Sequence, residues 1–252
     1  MSSKRYLTKS RLKEGLECPT KLFYSKNSEY QNNQKDDPFL ESLAEGGYQV
    51  EELAKFLISN QPYQDNITVE SLDYEESLKM TKLKLQNEIV SIAQPAFLFK
   101  NLFIRVDLLR KDKNSLTIYE VKSKSWGYEG VDDQEFRVFI KEYKRGLNKG
   151  KRVIDPNWKF YMYDIAFQRY VVKNLFPEME VKTNLVLADK LTKTSTDGLN
   201  QFFKIENKEG RKSVKVKDDL HISELGRLPL KTVNVDQVCD FIESQETQGK
   251  SF

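Results

Sequence analysis

The chain is poor in residues that often carry chemistry by themselves. Its 252 residues include one histidine, His221, and two cysteines, Cys18 and Cys239. A single histidine argues against chemistry built on a histidine cluster and against a zinc site of the two-Cys, two-His kind. Two cysteines so far apart make no disulfide framework, so the chain reads as intracellular, with a cytoplasmic location expected. No apolar run approaches the ~18 to 20 residues of a membrane span, and Met1–Arg5 lacks the apolar segment of a signal peptide. The formal net charge is only +3, so the whole-chain balance announces no partner and local clusters must be sought instead. What is present is 38% hydrophobic, 12% aromatic and 31% charged residues, a composition suited to a soluble protein with a real core.

Apolar periodicity predicts a short helix over 8–18, with Ser10 as N-cap and Pro19 as its stop, then a polar loop over 26–38. A longer helix is expected from about Pro38 to Ser59, with the stripe Leu40, Leu43, Ala44, Val50, Ala54, Leu57 and Ile58, and another over about 73–91. The period then shortens. Residues 95–99, 102–110 and 116–124 read as three consecutive strands, a meander whose turn 111–115 is a good hairpin signal. A short helix around 133–145, a helix from Asn157 to Lys173, a strand at 183–189, a polar hairpin over 201–216 and a helix from about 233 complete the pattern. The order helix, three strands, helix, strand makes an α/β fold with added helices. We read it as one domain over 1–252, with its core at about 38–190, an N-terminal helix and loop in 1–37 and a C-terminal hairpin and helix in 191–252.

The stretch Ile118-Tyr-Glu-Val-Lys-Ser-Lys-Ser125 breaks the alternation expected of a half-buried strand. Side chains alternate between faces, so Leu116, Ile118, Glu120 and Lys122 share a face that begins apolar and turns charged. Asp107 poses the same problem one strand earlier, on the face of Phe103 and Arg105. A carboxylate inside an apolar strand costs free energy unless something pairs with it. Two converging carboxylates repel, and a divalent cation such as Mg²⁺ or Mn²⁺ removes that penalty. A surface ion pair between Glu120 and Lys122 is the bland alternative. Two helices repeat the anomaly. Glu51 lies on or beside the stripe through Gly47, Ala54 and Ile58, and Gly46-Gly47, each costing about 1 kcal/mol in a helix, suggests close approach of another backbone. Gln168 is polar on the seam Trp158, Tyr161, Ile165, Val172, with Asp164 one turn earlier.

The pattern Asp107-x12-Glu120-x-Lys122 resembles the PD-(D/E)XK nuclease superfamily. Gly47-x-x-x-Glu51 before it and Gln168 after it are similar to its RecB-like branch, which includes CRISPR spacer-acquisition nucleases. That branch continues Gln-x-x-x-Tyr, whereas Val172 stands four residues past Gln168 here and Tyr170 is near. The stretches 7–24, 36–55 and 163–172 resemble a little-characterised bacterial family of the branch, over roughly residues 6 to 190. The resemblance implies a restriction-endonuclease-like core and a Mg²⁺- or Mn²⁺-dependent deoxyribonuclease acting in repair, processing or defence. Glu51, Asp107, Glu120 and the Val121 carbonyl would hold the metal, Lys122 would position the attacking water, and Gln168 would orient Lys122 or the scissile phosphate. Members of the family often carry further C-terminal sequence. In iron–sulfur members an N-terminal Cys joins three C-terminal Cys around a [4Fe–4S] cluster. Cys18 matches the first position, but only Cys239 follows, so four thiolates are not available within this chain, and Cys18 reads as a small core residue.

From Phe136 to Phe160 eight Lys and Arg face two acids, a local charge of +6. Arg137, Lys141, Lys144, Arg145, Lys149, Lys151 and Arg152 are the expected phosphate contacts, with Tyr128, Phe136, Phe139 and Tyr143 as stacking residues and DNA as the partner. Lys4, Arg5, Lys9, Arg11 and Lys13 form a second basic cluster. The alternative class is a non-catalytic nucleic-acid- or protein-binding module that keeps the fold.

Overall fold

The computed structural model describes residues 5–25, 29–30, 38–58, 67–128, 135–208, 211–247 and 250–251, with the side chains of 38–44, 135, 208, 211, 246–247 and 250–251 outside that description. The N-terminus forms α1 (Lys9–Glu17) and α2 (Pro19–Tyr24). Thr8, not Ser10, caps α1, its hydroxyl accepting from the Arg11 amide. Pro19 ends α1 and also opens α2, since its missing N–H and fixed φ suit a first helical position. Residues 26–28 and 31–37 of the expected loop lie outside the described residues.

The helix α3 (Pro38–Ile58) matches the expected span except for Ser59, which lies outside the described residues. The next helix, α4 (Tyr74–Lys84), is shorter than its pattern, because 89–93 is recruited as a strand. The strands that follow are β1 (Ile89–Ala93), β2 (Ala96–Phe99), β3 (Leu102–Arg105), β4 (Leu108–Asp112) and β5 (Ser115–Trp126). The expected meander is therefore two units. Residues 102–110 divide at Val106-Asp107: β3 pairs with β2 in a separate hairpin, while β4 joins β1 and β5. The chain continues through α5 (Glu135–Phe139), β6 (Ile140–Glu142), β7 (Arg152–Ile154), α6 (Lys159–Leu175) and β8 (Glu180–Asp189). The helix expected over 133–145 is thus one short turn followed by a hairpin strand. Beyond lie β9 (Phe203–Lys208), β10 (Arg211–Val216), β11 (Leu230–Asn234), α7 (Asp236–Glu243) and the small pair β12 (Glu246–Thr247) and β13 (Lys250–Ser251).

A five-stranded sheet, in the order β1-β4-β5-β8-β11, organises the molecule. Its pairs are antiparallel except β5 with β8. A parallel pair needs a long crossover, and α6 lies in that connection. The pleat sorts β5 as its parity demands. Leu116 and Ile118 are fully buried with Leu109, Leu185 and Leu187 and the α6 residues Met162, Ile165 and Val172. Val121 turns the other way, joining Leu108, Ala93 and Val186 beneath Ala54 and Ile58 of α3. Helices thus cover both faces, and α7 adds Val238, Cys239 and Ile242 to the α6 side. The far side of α3 carries Leu53 and Phe56, which pack on Phe203, Leu220 and Leu225 near the β9–β10 hairpin. Among the described residues, no helix is long and apolar enough to cross a membrane.

Candidate functional site

Glu120 follows Ile118 on the α6 face of β5 and is 0% exposed. Taking a lone carboxylate out of water costs several kcal/mol even after relaxation. That cancels the burial of two or three neighbouring Ile or Leu side chains, at about 2 kcal/mol each. The position is tolerable only because its partners are numerous. Lys122, two residues on and on the same face, hydrogen-bonds Glu120 Oε1. Gln168 Nε2, from α6, donates to Glu120 Oε2 at 2.7 Å and to Asp164 Oδ1 at 3.2 Å. Lys9 Nζ reaches both Glu120 oxygens at 3.0 Å.

Asp107 sits at the break between β3 and β4. Since β4 begins with Leu108 opposite Tyr119, the ladder supplies no strand partner beyond it. The Asp107 carboxylate takes that place, Oδ2 accepting the Val121 amide at 2.9 Å. The Val121 N–H is thus tied to the expected site through Asp107. Lys9 Nζ lies 3.6 Å from Asp107 Oδ1 and 3.7 Å from Asp164 Oδ1, while Lys122 Nζ is 3.5 Å from Asp164 Oδ2. Two ammonium groups therefore lace together Asp107, Glu120 and Asp164.

The protonation states follow from this lacing. Burial alone would raise Glu120, but Lys122 and Lys9 with their hydrogen bonds hold it far below the usual carboxylate range. Lys9 and Lys122 both lose hydration on burial, yet the surrounding carboxylates raise each above its ordinary value. Burial and the neighbouring Glu120 charge push Asp164 up to about 7. Burial and Glu120 raise Asp107 too, against Lys9 and Lys122. An acid raised by folding binds a proton more tightly in the native chain, so its contribution to stability is complete below the unfolded value and lost as pH rises through the folded one. For Asp164 that window runs from 3.8 to about 7. Glu120 acts oppositely, stabilising above 4.5 and losing that contribution as pH falls below it. We expect the metal-free protein to unfold at lower urea at about pH 8 than at about pH 5, and Asp164→Asn to shrink the difference while Asp107 and Glu51, also raised, keep part of it, as read from urea midpoints in EDTA.

Glu51 stands apart from this cluster. It belongs to α3, on the opposite sheet face, and accepts a hydrogen bond from Gln94 Nε2. Burial and the Asp107 charge raise it to about 7, so it is near Asp107 without joining the Lys9 and Lys122 lacing. Among the described residues no three His, Cys, Asp or Glu side chains gather as a metal-binding group. Of the expected trio, Glu51 reaches toward Asp107 from the α3 side of the sheet, while Glu120 faces α6 and is held by Lys9, Lys122 and Gln168. Gly46 and Gly47 do not mark a close backbone approach: a Cβ at either position would meet nothing within 4 Å.

Gln168 is where its seam placed it, fully buried, but it holds Glu120 rather than Lys122. Its Oε1 has no hydrogen-bond partner. Asp164, read as support for the helix seam, is a full member of the site. Lys9 was visible only as one cation in a basic run; no local signal marks a partner 111 residues away. Cys18 is a half-buried residue between α1 and α2 rather than a core one, and Cys239 is buried beside Thr183.

The second expected surface can be compared with the structure only in the exposure of its residues. Arg137 in α5 and Lys141, Lys144, Arg145, Lys149, Lys151 and Arg152 on the β6–β7 hairpin are all exposed. Lys141 pairs with Asp155 at 2.7 Å. Tyr128 and Tyr143 are exposed, but Phe139 is in the core between Trp126 and Trp158, and Phe136 packs on Phe241. Only two of the four aromatics are thus open to a base. No protein-family model matches the chain, and no curated protein matches it.

Proposed function

We propose that the chain is a Mg²⁺- or Mn²⁺-dependent nuclease of the PD-(D/E)XK type that hydrolyses DNA phosphodiester bonds. The observation that carries this reading is the complete burial of Glu120 in a network made only of charged and amide groups: Lys9, Lys122, Gln168 and, through the lysines, Asp107 and Asp164. A network that costs so much desolvation is more than stability requires.

The donor set fits a small hard cation. Asp107 and Glu120 present oxygens to one positive charge, Lys9 Nζ, which marks where a cation is favoured. Mg²⁺ needs only one or two protein carboxylates, taking its other ligands from water and phosphate. The buried Gln168 Oε1, without a partner, is an acceptor left over for a water or hydroxyl proton. Asp107 and Glu120 would hold the ion, and Glu51, whose ionisation a nearby cation would favour, would add negative charge beyond Asp107. When bound, such an ion supplies Lewis-acid polarisation of a phosphodiester and lowers the pKa of the attacking water. The chain's own groups then have separate tasks. Lys122, kept protonated by Glu120, Asp107 and Asp164, donates to and orients the attacking oxygen or the developing phosphorane charge. Gln168 fixes the Glu120 carboxylate from behind.

One observation favours a non-catalytic module instead: Lys9 already neutralises the carboxylates without any metal. Calorimetric titration with Mn²⁺ separates the two. A single saturable site that Glu120→Gln removes supports the nuclease; no binding to the wild-type protein supports the module.

A further inference from the structure

Lys9 and Ser10 line two clefts at once. One has a volume of about 550 Å³ and is walled by Arg5, Tyr6, Arg11, Tyr74, Phe103 and Arg105, with Asp107 at its inner end. The other, about 210 Å³, lies between α1 and α6 and includes Lys13, Lys122, Phe160 and Asp164. The carboxylate cluster therefore sits where the two meet. None of the seven cations expected at 137–152 lines either cleft.

The linings carry six cations, Arg5, Lys9, Arg11, Lys13, Arg105 and Lys122, against the carboxylates of Asp107 and Asp164. That is a polyanion's path with its acidic groups confined to the junction. The larger cleft also carries aromatic rings. Tyr6 and Tyr74 meet edge to face at 5.4 Å, and both pack on the buried Phe103 ring, at 6.0 and 4.4 Å. Tyr74 is 44% exposed, so part of this group stays open to a base. The walls are fixed. Leu7 bridges to the β3 edge, with its amide on Asn101 O at 2.8 Å and its carbonyl accepting from Phe103 at 2.9 Å. Arg105 is pinned to the Ser71 and Val69 carbonyls. A volume of about 550 Å³ between pinned walls is on the scale of a single nucleotide, and the ring group at its wall offers a face that only an unpaired base can reach.

We propose that these joined clefts are the binding path of an unpaired nucleic-acid strand, with a base against Tyr74 and Tyr6, backbone phosphates along Arg5 and Arg11, and the next phosphate delivered over Lys9 to Asp107 and Glu120. The proposal rests on the nuclease reading for its last step alone. Stacking on such rings is tolerant of sequence, so the path selects strandedness rather than sequence.

The test is fluorescence anisotropy in EDTA with a labelled single strand and the matching duplex, for the wild type, Arg5→Glu and Tyr74→Ala. Arg5 is exposed, so its replacement leaves the fold intact and keeps the test valid if Tyr74→Ala weakens the packing on Phe103. The expected result is tighter binding of the single strand by the wild type and a loss of about tenfold in each variant, with a shallower salt dependence for Arg5→Glu. Unchanged single-strand affinity in Arg5→Glu, or a duplex bound as tightly as the strand, overturns the path. Binding as expected without cleavage in Mn²⁺ would leave the path standing and remove the nuclease. Cleavage with unaltered binding in both variants would do the reverse.

Discussion

Glu120→Gln is expected to lower Mn²⁺-dependent DNA hydrolysis on the order of a thousandfold or more, the scale seen when a group stabilising developing charge is removed. The substitution keeps the shape of the buried side chain and its contact with Gln168 but removes the charge. Asp107 is left as the main ligand, and Lys122 loses the hydrogen-bond partner that aims it. Lys122→Met should cost a similar factor for a different reason: the carboxylates remain, and the oriented donor is gone. The two variants therefore differ in metal affinity, lost in Glu120→Gln and retained in Lys122→Met. Equal metal affinity in both would show that Glu120 is not the ligand proposed.

Lys9→Met should bind Mn²⁺ about tenfold more tightly than the wild type, a change of about 1.4 kcal/mol. The Lys9 ammonium lies 3.0 Å from each Glu120 oxygen and 3.6 Å from Asp107, in the space a divalent ion needs. An ion entering there has to displace it, and methionine carries no charge to displace. The same variant should be less stable without metal, because Glu120 then has only Lys122 and Gln168 as partners and Asp107 loses a cation. Added Mn²⁺ should restore more of its stability than it adds to the wild type. Calorimetry and thermal unfolding with and without the ion read both effects. Unchanged or weaker metal affinity would mean that ammonium and ion occupy different places.

How much of this was legible in the sequence depends on how local each signal is. The strand period in Leu116-Thr-Ile-Tyr-Glu-Val-Lys announced that Glu120 and Lys122 share the buried face, and the pleat delivered it. The helical period of α6 placed Gln168 and Asp164 one turn apart on the seam, and both meet Glu120 or its lysine. These are one-element properties set by backbone geometry. Lys9 is different. Its position depends on Leu7 pairing with the β3 edge and on Thr8 capping α1, and neither names Glu120. The division of 102–110 was likewise hidden, because a strand-like run without Gly or Pro does not show that a carboxylate will replace a ladder bond at Asp107. The short strands β1 and β11 owe their existence to the partners they pair with, β4 and β8. Glu51 kept its stripe but belonged to the helix on the other face, a fact set by topology rather than by periodicity.

The central claim is that the buried acid and lysine network supports metal-dependent hydrolysis. Incubation of the wild-type chain with labelled DNA ends and circles, single- and double-stranded, in Mg²⁺, Mn²⁺ or EDTA tests it most directly. The account predicts cleavage of single-stranded DNA with either ion, abolished by EDTA and by Glu120→Gln. No cleavage of any substrate with either ion, or cleavage that survives in EDTA, would contradict it.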